Sequence, residues 1–212
     1  MVMATSSRTC PGLLVAAAIA AAATSAAVAG CQSSAPATGH GNGQSSQAPV
    51  PPVHVLAAKP APAGWRDAGL PDGGAVLAYP PDMHQVFGDR GTASAAQLSA
   101  SGTYLMYLNA TPKQGAETLR DWPEFRLDHL TEDDASTARQ LAASHGVRFL
   151  GGTGTCVIDA YVSKIKAHHY TELACYVQGK TSSSVIIAAA PTATWATASG
   201  VLMRAVAAYQ VR

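Results

Sequence analysis

The chain has 212 residues, with 14 Lys and Arg against 13 Asp and Glu and a formal net charge of +1. A nearly neutral chain without a basic, aromatic-interleaved stripe argues against a nucleic-acid-binding protein. It also argues against electrostatic attraction to anionic lipids, so attachment to a membrane requires an apolar group. Since the sequence carries no recognisable catalytic or cofactor motif, it predicts no cofactor and no catalytic residue.

The first segment of the chain has the pattern of a bacterial lipoprotein signal peptide. Arg8 supplies a short positive region, and residues 13–28 form an almost unbroken apolar run that is short for a membrane span. The run ends in Val28-Ala29-Gly30-Cys31, which resembles a lipobox: a branched apolar residue and two small residues before cysteine. The pattern predicts removal of residues 1–30.

Cleavage before Cys31 predicts that its thiol carries a lipid and anchors the chain to the outer face of the cell membrane. The protein would then be extracytoplasmic, with the membrane as its first partner and an unidentified envelope protein or small ligand as the other. An ordinary signal peptide cut near Ala27 or Ala29 is the alternative, and it leaves Cys31 as an unexplained free thiol.

A tether and a single domain are predicted to follow the signal peptide. Residues 31–63 are rich in Ser, Ala, Pro, Gly and Gln and contain few large apolar side chains. Such a segment buries too little surface to offset the entropy of ordering it, so we expect a disordered tether. The remaining residues, 64–212, carry most of the charge and are predicted to form one globular domain.

Strand and helix patterns are mixed in the first half of this domain. Ala75–Tyr79 and residues 104–110 read as buried strands. A capping-box pattern at residues 111–114 predicts a helix that Pro123 kinks or restarts. A second helix is predicted from residues 131–134 to His145-Gly146.

The second half of the domain predicts three consecutive strands and a final helix. Residues 147–165 and 169–178 form a hairpin, residues 183–190 a central strand, and Pro191 to Thr194 begin a helix with an apolar face. The whole order predicts an α+β domain, an antiparallel sheet with helices packed on one face.

Cys156 and Cys175 are the two cysteines left after export, and an oxidising compartment favours their pairing. If they lie opposite each other, Ile158 faces Leu173 and the apolar residues of both strands share one side of the hairpin. Because this alternation is independent of the cysteines, it supports a disulfide between them.

The same register brings two like charges together, since it places Asp159 directly opposite Glu172. Facing carboxylates are unfavourable unless something compensates them. A metal ion or a ligand amine held by Asp159, Glu172 and His168 is one compensation, and a nearby Lys164 or Arg126, or a bulge, is the alternative.

Three tyrosines, Tyr161, Tyr170 and Tyr176, share the other side of the hairpin and form a candidate interaction face. They favour a non-enzymatic binding or assembly module, unless a helix covers them. The rival hypothesis is an envelope enzyme that uses Asp159 and Glu172 as acid and base, which requires one of them to titrate well above its usual value. A deep pocket beside these carboxylates would favour the enzyme, and a flat exposed aromatic patch the binder.

The segments 154–161 and 170–176, the strand at residues 183–190 and the helix around Trp195 resemble small actinobacterial lipoproteins of unassigned function. The order of strands and helices is similar to the PsbP-like fold. The resemblance implies an antiparallel sheet flanked by helices and an envelope location, and it implies no activity. A cystatin-like or nuclear-transport-factor-like fold is the alternative.

Overall fold

The structure, a computed structural model, describes residues 56–212. The predicted signal peptide, Cys31 and the predicted tether up to residue 55 lie outside the described residues. Within them the strands are β1 (Arg66–Gly69), β2 (Ala75–Tyr79), β3 (His84–Gln85), β4 (Ala93–Leu98), β5 (Tyr104–Pro112), β6 (Ala135–Phe149), β7 (Gly152–Ser163), β8 (His169–Gly179), β9 (Ser183–Pro191) and β10 (Gln210–Val211). The helices are α1 (Trp122–His129) and α2 (Trp195–Ala207), with a π-helical turn at Leu130–Asp134 and a 3-10 turn at Thr192–Thr194.

Seven strands form one sheet in the order β3-β4-β5-β9-β8-β7-β6, and β1, β2 and β10 form a smaller sheet. Each neighbouring pair in both sheets is antiparallel. The predicted α+β fold with an antiparallel sheet is therefore confirmed. The chain leaves β5 near the middle of the large sheet and returns as β6 at its far edge, and α1 lies in that crossover.

The two helices cover opposite faces of the large sheet. On one face, here called the α2 face, Leu202 of α2 packs with Ile158 and Leu173 in the main core. Apolar side chains of the smaller sheet belong to the same core. On the other, the α1 face, Trp122 of α1 packs with Val157 and Ala174. Because successive residues of a strand point to opposite sides, these two clusters lie back to back. The helices are thus divided between the two faces, and not grouped on one as the sequence predicted.

Helix α1 begins later than the capping-box pattern indicated. Strand β5 continues through Pro112, which pairs with Ser184 at the end of β9, so the pattern at residues 111–114 does not start a helix. Helix α1 begins at Trp122, with Pro123 in its first turn, where a missing N–H costs nothing. The restart expected at this proline is the true beginning of the helix.

The predicted helix over residues 131–145 is wrong beyond its first turn, because residues 131–134 lie in the π-helical turn and residues 135–145 lie in β6. Residues with good helix propensity fill it, yet β6 pairs with β7 along most of its length. The pairing is interrupted by three register shifts, and Gly146 has a positive φ of 67° at the last of them. Hydrogen bonding to a long partner strand overrides local propensity here, and the bulges adjust its register.

The described chain is packed against the domain from Leu56 onward, eight residues before the boundary predicted at residue 64. Leu56 is buried in the main core, and the Lys59 amide donates to the Ala207 carbonyl at 2.9 Å. These residues therefore add to the domain instead of the tether. Neither described helix is long and apolar enough to cross a membrane.

Candidate functional site

The β7–β8 hairpin has the register that the sequence predicts. Cys156 lies opposite Cys175 and the two form a disulfide, buried on the α2 face. Asp159 lies opposite Glu172, and Tyr161 lies opposite Tyr170. The hairpin therefore presents its carboxylates and these tyrosines together on the α1 face.

Arg126 of α1 compensates one of the two facing carboxylates. Its Nε donates to Glu172 Oε1 at 2.7 Å and its Nη2 donates to Oε2 at 3.0 Å, a bidentate pair. Arg126 and Glu172 are both buried. Burial disfavours the charge on Arg126, but the attraction and hydrogen bonds of Glu172 hold its pKa above the ordinary value.

The metal hypothesis places His168 beside the carboxylates, and the structure does not. His168 is exposed in the β7–β8 turn, with its ring against Tyr170. Among residues 56–212 no three His, Cys, Asp or Glu side chains are grouped so that they could hold a metal ion. The cation beside Glu172 is the guanidinium of Arg126.

Asp159 is the unusual member of the cluster. It is fully buried, and neither carboxyl oxygen has a hydrogen-bond partner among the described residues. Burial and then the nearby charge of Glu172 raise the pKa of Asp159 to about 8, although Arg126 opposes the shift. At neutral pH this side chain is therefore mainly a neutral carboxylic acid.

A pocket of about 890 Å³ opens on the α1 face, and its floor follows from the strand order. Ala189 of β9 lies between Tyr107 of β5 and Glu172 of β8. A small side chain between larger ones leaves a trough in the sheet surface, and Tyr170 adds to its wall on the β8 side. Helix α1 covers β7 and β8 but leaves the trough over β9 and β5 open.

Aromatic rings line much of this trough. Tyr104 and Tyr107 have ring centroids 5.3 Å apart, and Tyr161 and Tyr170 lie 5.7 Å apart on the hairpin. Phe125 of α1 also lines the pocket. Burial raises the pKa values of Tyr107, Tyr161 and Tyr170, so their phenol groups stay neutral at physiological pH.

The polar groups of the pocket are mostly bonded to one another. Asn109 donates to Ser94 at 2.8 Å, and the Ser94 hydroxyl lies 3.4 Å from that of Tyr107. The Glu117 carboxylate accepts the backbone N–H groups of Gln114 and Gly115 at 3.0 and 2.7 Å. These hydrogen bonds fix the shape of the wall. Tyr161, Tyr170 and the Arg126–Glu172 pair also line the pocket and are its other polar side chains considered as ligand contacts.

The predicted tyrosine face is thus divided. Tyr161 and Tyr170 line the pocket, whereas Tyr176 is only 3% exposed beneath α1. The indole of Trp122 lies 6.0 Å from the Tyr176 ring and donates to the Ala174 carbonyl at 3.0 Å, which fixes the helix on this end of the hairpin. Tyr176 is therefore part of the packing and not of an exposed face.

The sequence reasoning missed several residues that line the pocket, among them Tyr107, Ala189 and Phe125. Tyr107 and Ala189 lie within strands whose existence was predicted, but their proximity depends on β9 lying between β5 and β8. Phe125 lies on α1, and the position of that helix on the sheet depends on the crossover from β5 to β6. The alternation within β5 and β9 would have shown which side chains share a face, but not which strands are neighbours.

Comparison with known proteins finds similarity in solved structures alone. No family model and no curated protein sequence matches the chain. The chain is similar to cyanobacterial PsbP (CyanoP) from Synechocystis, with 12% identity over 72% of this chain and 95% of that one and a TM-score of 0.49. It is also similar to LpqN, described as involved in cell envelope biogenesis of Mycobacterium tuberculosis, with 12% identity over 69% and 90% and a TM-score of 0.40.

A third solved structure has the same level of similarity. It is PA94 from Pseudomonas aeruginosa, described as a protein of unknown function and putative regulator, with 7% identity over 68% of this chain and 94% of that one and a TM-score of 0.40. Similarities of this size concern the fold and transfer no ligand or activity.

Proposed function

We propose that the chain is a lipid-anchored module of the bacterial cell envelope that binds a small amphipathic molecule in the pocket on its α1 face. The sequence at residues 28–31 supports the anchor at Cys31, and the aromatic trough supports the binding. The trough is the observation that carries the proposal, since small-molecule sites are concave, mainly apolar and of about 300–1,000 Å³.

The chemistry of the trough indicates the class of ligand. Tyr107 and Phe125 provide ring faces and edges for an apolar or aromatic body. Glu172 neutralises Arg126, so the charged pair presents a dipole rather than a net charge to the pocket. This pocket therefore favours an uncharged or zwitterionic molecule with a polar group at one end.

An envelope enzyme is the second candidate, and the raised pKa of Asp159 is the observation that favours it. A carboxylic acid that titrates near neutral pH is suited to proton transfer. The pocket also lies beside Glu172, as the enzyme hypothesis requires. However, both oxygens of Glu172 are engaged by Arg126, and Asp159 is fully buried. We therefore place binding before catalysis.

The binding proposal is tested with N-phenyl-1-naphthylamine, an uncharged aromatic probe whose fluorescence rises in apolar sites. We expect the protein to bind it and the variant Ala189→Phe, which fills the trough, to lose binding at a temperature where circular dichroism shows the variant folded. Ala196→Phe is the matched control, because Ala196 is exposed on α2. Tyr107→Ala removes one aromatic ring from the wall of the trough and leaves its floor unfilled, and we expect it to weaken binding.

Equal probe binding by the parent protein and both alanine-to-phenylalanine variants would contradict the assignment of the site. Native mass spectrometry of protein extracted from its own membranes then tests the physiological ligand and the anchor together. We expect the mass of residues 31–212 plus a lipid, with a further bound mass that Ala189→Phe lacks. A lipid-free chain that begins at another residue would contradict the anchor and leave the pocket proposal unaffected.

A further inference from the structure

Two large apolar side chains protrude from the domain into solvent. Phe87 is 101% exposed in the loop between β3 and β4, and Ile165 is 77% exposed in the turn between β7 and β8. Burying such side chains is favourable, so each tip would gain free energy by entering an apolar phase.

Both tips lie at the mouth of the same pocket. Gly88 and Asp89, which follow Phe87 directly, line the pocket, and so do Ile165 and its neighbour Lys166. The two loops come from strands on opposite sides of the trough, β3–β4 and β7–β8. The protruding side chains therefore flank the opening through which a ligand enters.

The turn that carries Ile165 is held in place by hydrogen bonds. The Ser163 hydroxyl donates to the Ile165 carbonyl at 2.7 Å and accepts the His168 N–H at 3.1 Å, and the Ser163 N–H donates to the His168 carbonyl at 2.9 Å. Lys166 and Ala167 both adopt positive φ, of 60° and 49°, which is unfavourable for residues with a side chain. The chain thus maintains a costly backbone conformation that presents Ile165 outward.

The exposed charges around the pocket mouth are of both signs, as are those of a zwitterionic lipid headgroup layer. Arg90 and Lys166 are exposed beside the two apolar tips, and Asp89 and Asp134 lie at the same mouth. Since these charges are mixed, binding has to come mainly from insertion of Phe87 and Ile165. Apolar tips flanked by basic side chains are the usual chemistry of proteins that lie in the interface of a bilayer.

We propose that the pocket mouth docks on a lipid bilayer, with Phe87 and Ile165 entering the interfacial region, so that the pocket exchanges its ligand with the membrane. The exchange and the lipid anchor that brings the domain to the membrane both rest on the proposed function, whereas insertion of the two tips is measured separately from ligand binding. Cys31 lies 25 positions before Leu56. A chain of that length reaches about 80–90 Å when extended, which is enough for the anchored domain to turn its pocket toward the membrane.

The test uses the lipid-anchored protein in phosphatidylcholine vesicles whose acyl chains carry bromine, which quenches tryptophan only within the bilayer. Phe87→Trp and Ile165→Trp place a reporter at each tip. Val201→Trp is the matched control, because Val201 is a partly exposed apolar residue of α2, on the opposite face of the sheet. The parent protein gives the background from Trp65, Trp122 and Trp195.

We expect brominated lipid to reduce the emission added at positions 87 and 165, as for side chains at the headgroup boundary, and to leave that added at 201 unchanged. Equal emission in brominated and plain vesicles at both tips would overturn the docking, as would quenching confined to position 201. Probe binding that persists in either of these cases would leave the proposed function intact.

Discussion

The two faces of the large sheet are built from the same strands and have different chemistry. On the α2 face, Ile158, Leu173 and Leu202 are fully buried in a continuous apolar core, with the disulfide within it. On the α1 face, the next residues along β7 and β8 are Asp159 and Glu172, which are buried near a single guanidinium and beside an open pocket. Strand alternation thus separates the residues that stabilise the domain from those that shape its candidate site.

The two faces differ in how well their buried polar residues are compensated. Burying a charge costs several kcal/mol unless it is paired, and burying a carboxyl without a hydrogen bond is also unfavourable. The α1 face contains both a buried ion pair and an unbonded acid, so it contributes less to stability than its burial suggests. The α2 face therefore has to supply the stability that the α1 face lacks.

The largest effect is expected from Arg126→Met, which leaves Glu172 buried without its partner. We expect the free energy of unfolding, measured in urea at pH 7, to fall by about 3–5 kcal/mol. The double variant Arg126→Met/Glu172→Met removes both charges and should recover most of that loss. A single variant as stable as the parent would show that Glu172 does not depend on Arg126 in the folded protein.

The disulfide variant Cys156→Ala/Cys175→Ala tests the other face. The bond joins residues 19 positions apart, and in the entropic model removing a loop of that size costs about 3 kcal/mol. Because the disulfide lies on the α2 face, we expect binding of N-phenyl-1-naphthylamine to be unchanged below the melting transition. Loss of probe binding by a fully folded variant would contradict the separation of the two faces.

The β7–β8 hairpin shows how much the sequence can predict when two signals agree. The apolar alternation and the cysteine positions independently require the same register, and every pair that they predict is present. In β6 the signals conflict, because residues such as Ala138, Gln140 and Leu141 favour a helix and the pairing with β7 is not visible locally. Local propensity therefore gave a helix where a long edge strand lies.

The candidate site could be predicted only in part, because the hairpin register determines only some of its residues. Asp159, Glu172, Tyr161 and Tyr170 follow from the hairpin register, so they were found together. The trough depends on Ala189 lying between strands that are distant in sequence, and Arg126 reaches Glu172 from a helix whose position depends on the crossover from β5 to β6. Such contacts come from the order of strands, which the alternation within each strand does not encode.

The most specific effect concerns the pH dependence that Asp159 introduces. With a pKa of about 8 in the folded protein and the ordinary value near 4 when unfolded, the acid ionises in the unfolded chain first. Its contribution to stability is therefore complete below pH 4 and is lost as the pH rises toward 8, by up to about 1.4 kcal/mol per pH unit. Asp159→Asn stays neutral throughout.

We therefore expect Asp159→Asn and the parent protein to have unfolding free energies that differ little at pH 4 and diverge as the pH rises, with the variant the more stable at pH 8. Asp67→Asn, which removes an exposed carboxyl on β1, is the control and should follow the parent. Parallel curves for Asp159→Asn would mean that the folded protein holds Asp159 ionised with a cation beside it. That result would support a cation bound between Asp159 and Glu172. Unfolding free energies that diverge with pH would instead support a neutral acid buried behind the pocket.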